Sequence, residues 1–122
     1  MRNPSYIMID YKHQAVEARL SMRVYREGDY YFAECPELSL IDQGATSREA
    51  VENLIRMSQA SIIEAIFTGN IDGMLKELGF HPGKLVLDNR RLFNQQIDES
   101  ADYLPFNLDV PIPKSSECFS AL

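Results

Sequence analysis

The chain has 122 residues, 45% hydrophobic and 25% charged, and its 18 acidic against 12 basic side chains give a net charge of −6. That length fits one domain able to bury a core without disulfides or metal. The acidic balance argues against nucleic-acid binding by this chain alone and suits a basic protein partner.

Tyr6-Ile-Met-Ile-Asp10 reads as a further edge strand. In residues 16–26, Ala18, Leu20, Met22 and Val24 fall on one face and Arg19, Ser21, Arg23 and Tyr25 on the other. A period of two with one apolar face is a half-buried antiparallel strand. Gly28, within Glu27-Gly28-Asp29, can supply the positive φ of a tight hairpin. The aromatic run Tyr30 to Cys35 suits the returning strand. Pro36 cannot donate to a ladder, so that strand ends or bends there. Leu38 to Gln43, closed by Gly44, completes a three-stranded meander.

Thr46-Ser-Arg-Glu49 is a capping box. The helix it opens runs to about Thr68, with Ala50, Leu54, Met57, Ser61 and Ala65 at helical spacing, widened by Val51, Ile55, Ser58, Ile62 and Ile66. This is a broad apolar face for packing on a sheet. Gly69 is placed as the residue that ends it. A shorter helical segment follows, with Ile71, Met74, Leu75 and Leu78 on one face and Gly79 at its end. Lys84 to Asp88 is expected to add a fourth main strand.

Beyond residue 94 the character changes. Residues 95–122 hold one basic residue, Lys114, five acidic ones and three prolines. The expected organisation is an α/β domain over 1–94 and an acidic, proline-containing arm over 95–122. No apolar run approaches the ~18 residues of a membrane span, and the N-terminus lacks the apolar stretch of a signal peptide. Cys35 and Cys118 fit a reducing compartment better than a disulfide framework. The expected location is therefore cytoplasmic.

Candidate chemistry is sparse. His13 and His81 read as surface histidines, since no His/Cys set has metal-ligand spacing. Cys35 reads as a small buried hydrophobe. Asp29, Glu34 and Asp42 lie near strand ends but form no carboxylate set that can be placed on neighbouring strands. Arg19, Arg23 and Arg26 read as a basic stripe, with salt bridges to Glu17 or Glu34 favoured over phosphate contacts. The glycines are isolated turn residues, not a phosphate loop. No catalytic, cofactor or metal residue is expected, and the chain does not read as an enzyme.

The run Tyr31-Phe-Ala-Glu-Cys-Pro-Glu-Leu38, followed by Gln43-Gly-Ala-Thr-Ser-Arg-Glu-Ala-Val-Glu-Asn-Leu54, resembles the HicB-like antitoxin family. The likeness covers about residues 18–68. It departs from the family pattern at Ala45, where that pattern has Asp, and at Arg48, where it has Glu. It implies an α+β fold with a β-β-β-α-β core like a truncated ribonuclease H, in which one long helix packs on an antiparallel sheet. It also implies a partner, a small basic HicA-like RNA-cleaving toxin whose site the antitoxin blocks. Homo-dimers or higher oligomers are expected, both from the resemblance and because unpaired sheet edges template further strands. Many members bind operator DNA through a C-terminal module. Residues 84–122 show neither two capped helices nor a basic strand-helix-helix, which puts DNA binding in doubt. Glu34, Glu37 and Asp42, expected at the sheet edge, are the candidate partner-binding residues, together with the acidic arm. The alternative function is a stand-alone HicB-like oligomer with a regulatory or small-ligand role.

Overall fold

The structure, a computed structural model, describes residues 5–84, 89–95 and 103–113. Strand β1 (Ser5–Asp10) turns through residues 11–14 into β2 (Ala15–Glu27). The Asp10 carboxyl accepts the His13 backbone N–H at 3.1 Å, an Asx-type turn that leaves Gln14 at φ 50. Gly28, at φ 65, closes the two-residue turn into β3 (Tyr30–Cys35). Next come a 3-10 turn, Pro36–Leu38, and Ser39 in the left-handed region, leading to β4 (Leu40–Gly44). The third strand of the meander thus starts at Leu40 rather than Leu38. The proline ring favours the first position of a helical turn, and the chain takes that option.

The long helix α1 (Ser47–Phe67) begins as its sequence indicates: the Thr46 hydroxyl accepts the Glu49 N–H at 3.1 Å. Its buried stripe is Ala50, Leu54, Ser58, Ile62 and Ala65, and the Ser58 hydroxyl is satisfied by the Leu54 carbonyl. Burying Leu54 and Ile62 contributes roughly 1.5–3 kcal/mol each. Gly69, at φ 73, ends the helix, and α2 (Ile71–Glu77) follows, itself ended by Gly79 at φ 92. The remaining strands are β5 (His81–Pro82), β6 (Arg90–Gln95) and β7 (Leu104–Pro111). The strand expected over Lys84 to Asp88 falls largely outside the described residues; the one observed here is β6.

The seven strands among the described residues form one sheet with the path β4-β3-β2-β1-β6-β5, and β7 pairs with β2. The long β2 serves three neighbours. Its residues 15–19 pair with β1, 23–27 with β3 and 15–22 with β7. Because β1 and β7 share residues 15–19, they flank β2 on opposite edges. Strand β1 therefore lies inside the sheet, between β2 and β6, and not at the expected edge. Residues 104–111 of the acidic arm are likewise part of the sheet, where Leu108 and Val110 join the core opposite Ala18 and Val16. The core lies between α1 and the sheet face that carries Ile7, Ile9, Val16, Leu20 and Ala33.

The Pro36–Leu38 turn carries a buried acid. Glu37 has no solvent exposure, and its Oε2 accepts the Ser21 N–H (2.7 Å), the Ser21 hydroxyl (2.8 Å) and the Ser5 hydroxyl. The Cys35 thiol lies 3.6 Å from its Oε1. One carboxyl thereby ties the start of β1, the middle of β2 and the turn after β3. Glu37→Ala leaves three donors without an acceptor and is expected to cost about 3 kcal/mol or more in urea unfolding, with Glu37→Gln costing less because it keeps an acceptor.

Gly44 marks a second tight point. A Cβ there would lie 2.6 Å from the Ala50 nitrogen and 2.8 Å from the Glu49 Cβ. The end of β4 presses against the first turn of α1, and only a bare backbone fits. Gly44→Ala should therefore lower the urea midpoint more than Thr46→Ala, which removes a cap worth about 1 kcal/mol.

Candidate partner-binding surface

The register separates the three acidic candidates. Glu34 stands opposite Arg23 on β2 and Ile41 on β4, on the sheet face away from α1. Asp42 stands opposite the buried Ala33, so it belongs to the helix side. Its carboxyl accepts the Gln43 N–H at 2.8 Å. Glu37 is interior, which corrects its expected position at the sheet edge: the 3-10 turn folds its side chain in against Ser5 and Ser21, where it has no exposed surface to offer a partner.

The face away from α1 carries an aromatic and ionic strip. The Arg23 guanidinium lies 2.9 Å from Glu34 Oε1, although its Nε–H is not aligned for a hydrogen bond. It also sits 4.6 Å above the Tyr25 ring, which stacks on Phe32 at 5.6 Å and 18°. The Tyr103 hydroxyl donates to Glu34 at 3.3 Å. Burial, then the nearby Glu34 charge, pushes the Tyr103 phenol up. The salt bridge to Glu34 matches the preference read from the sequence, but the basic stripe is divided. Arg26 faces the other way, against Tyr31 at 5.9 Å, and donates to the Gly28 carbonyl.

At the other end of the same face lies a depression of about 300 Å³ lined by Met8, Asp10, Glu17, Arg90, Asp109 and Pro111, among others. Glu17 and Asp109 are directly opposed across β2 and β7. Like charges in that position repel. Arg90 is engaged by Asp10, with Nε 3.1 Å from Oδ2. Sequence reasoning missed this pairing because Asp109 sits in the arm, whose register nothing local specifies.

The chemistry available is limited. Burial first, then the neighbouring Glu37, pushes the Cys35 thiol up well beyond its ordinary range, which makes it a poor nucleophile. Among the described residues, no three or more His, Cys, Asp or Glu side chains are grouped to hold a metal ion. No helix among them is long and apolar enough to cross a membrane. No protein-family model, curated protein or solved structure matches the chain.

Among the described residues, Asp10 is the carboxyl with a clear displacement. The His13 backbone N–H, then the His13 ring and Arg90, lower its pKa from 3.8 to about 2. A depressed acid contributes stability that is complete above its unfolded value and is lost as pH falls through the folded one. Asp10→Asn should thus be less stable than the parent at pH 7, with the difference closing as pH drops from about 4 to about 2. Thermal melts across that range check it.

Proposed function

We propose that this chain is an antitoxin-type inhibitor with a HicB-like, truncated ribonuclease H-like core. It binds a small basic HicA-like RNA-cleaving toxin and blocks it by covering its active surface, with no catalysis of its own. The observation that carries this reading is how the run from Tyr31 to Leu54 is used. Its proline turn, its Gly44 contact and its Thr46 cap all serve packing. The family-like motif is thus mainly a scaffold, and recognition falls to the acidic side chains that it does not bury.

The net charge of −6 favours a basic partner. A cationic side chain placed between Glu17 and Asp109 would relieve their mutual repulsion, which makes that corner the natural point of contact. Glu34 and Asp42 remain candidates on the two sides of the sheet. A cytoplasmic location belongs to the same reading, because the toxin's RNA substrate is there.

The test is co-expression with any small basic protein encoded beside this one, followed by titration at low salt. The double reversal Glu17→Lys, Asp109→Lys should weaken the complex by about tenfold or more, and Glu34→Lys with Asp42→Lys by less. Unchanged affinity in both would defeat the proposal. A stand-alone oligomer with a small-ligand role is the second reading, favoured by the 300 Å³ depression. Purification from the native host with no basic protein attached supports it.

A further inference from the structure

Strand β7 closes the core at Leu108 and Val110, and its one strand partner among the described residues is β2. The prolines show which residues make the ladder. Pro105 stands opposite Ser21 and Pro111 opposite Ala15. A proline has no N–H to give, so these are non-hydrogen-bonded pairs. The alternate set is the bonded one. Ile112 donates to the Gln14 carbonyl at 2.7 Å, while the Ser21 N–H turns to the other edge of β2, toward Glu37. The N–H groups of Phe106, Leu108 and Val110 therefore face β2 and hold the strand to it.

Asp109 shares the parity of the prolines, so its pair with Glu17 is of the non-hydrogen-bonded kind. Such pairs bring Cα atoms to about 4.5 Å, against about 5.5 Å in the bonded kind. Two exposed like charges thus stand opposed where antiparallel strands come closest. Their described neighbours offset this only weakly. Tyr6 on β1 donates its hydroxyl to Glu17 at 3.4 Å, a long bond. Burial first, then Glu17, pushes the Tyr6 phenol up, and Asp109 adds to the effect. Arg19, next along the same face of β2, stands opposite Asn107. Arg90 is engaged by Asp10.

We propose that this opposed pair makes β7 a charge-sensitive strap: the strand lifts from β2 while the meander and α1 stay folded, and neutralising Glu17 or Asp109 draws it down over the core. A strand joined to the sheet along one edge can open in a step smaller than global unfolding. Burial of Leu108 and Val110 returns it, and the repulsion between the two carboxylates opposes that return. The device also deepens the inhibitor reading, on which its second half rests. A cationic group of the partner set between Glu17 and Asp109 touches both strands, so it favours the closed strap. By linkage, the closed strap favours the partner to the same degree.

The test is native-state hydrogen exchange on the full chain alone at low salt, so the strap and the inhibitor reading can fail separately. In the parent, the amides of Phe106, Leu108 and Val110 should be about tenfold or more less protected than those of Leu54 and Ile62 in α1. Glu17→Gln keeps an acceptor for Tyr6 and should raise protection of the β7 amides about two- to fivefold, leaving the α1 amides unchanged. Asp109→Asn should do the same. The two together should add little to either alone, because one neutral partner already ends the repulsion. Raising salt from about 0.02 M to about 0.5 M should protect β7 more in the parent than in Glu17→Gln. Glu77→Gln removes the same charge from an exposed position on α2 and should change neither set. Exchange of β7 in step with α1, β7 protection that Glu17→Gln leaves unchanged, or an equal gain from Glu77→Gln overturns the proposal.

Discussion

The carboxyl of Glu37 is the point on which the fold turns. It lies where three pieces of backbone meet, the start of β1, the middle of β2 and the turn after β3, and it accepts hydrogen bonds from the first two. A polar group with no solvent exposure is costly unless its partners are in place. The same network that holds it therefore discriminates against any arrangement in which these pieces are misaligned. Slipping β2 by one residue would remove Ser21 from the carboxyl and turn Ala18 and Leu20 out of the core.

From that junction the molecule divides into two faces with different work. On one side, Ala50, Leu54, Ile62 and Ala65 of α1 meet the even-numbered residues of β2. On the other, Arg23, Tyr25, Phe32 and Glu34 hold one another in place by stacking and charge. An ordered strip loses little side-chain freedom when something docks on it. The acidic pairing of Glu17 with Asp109 lies on the same face but at a different end.

Much of this architecture is legible from local chemistry. The alternation in β2, the Gly28 turn, the Thr46 cap and the terminating Gly69 each follow from a residue's own conformational preference, and each is where the sequence places it. The difficulties come from partners distant in sequence. Nothing near Glu37 reveals that Ser5 and Ser21 will enclose it, and a charged residue after a proline reads as exposed. The prolines at 105 and 111 argue locally against a strand, yet β7 accommodates them at an edge. Strand β1 looks peripheral until β6 arrives on its far side. Glu34, Asp42 and the pairing of Glu34 with Arg23 could be read from the sequence, while the face that each occupies and the pairing of Asp109 with Glu17 needed the register.

The position of β7 has a consequence for synthesis. Leu108 and Val110 complete the core against Ala18 and Val16, which lie more than eighty residues earlier in the chain. As the polypeptide emerges, one edge of β2 stays unpaired after the meander and α1 have formed. During that interval the nascent protein leaves this part of its apolar interior uncovered. Closure of this part of the core therefore waits for residues 104–111, long after α1 has been made.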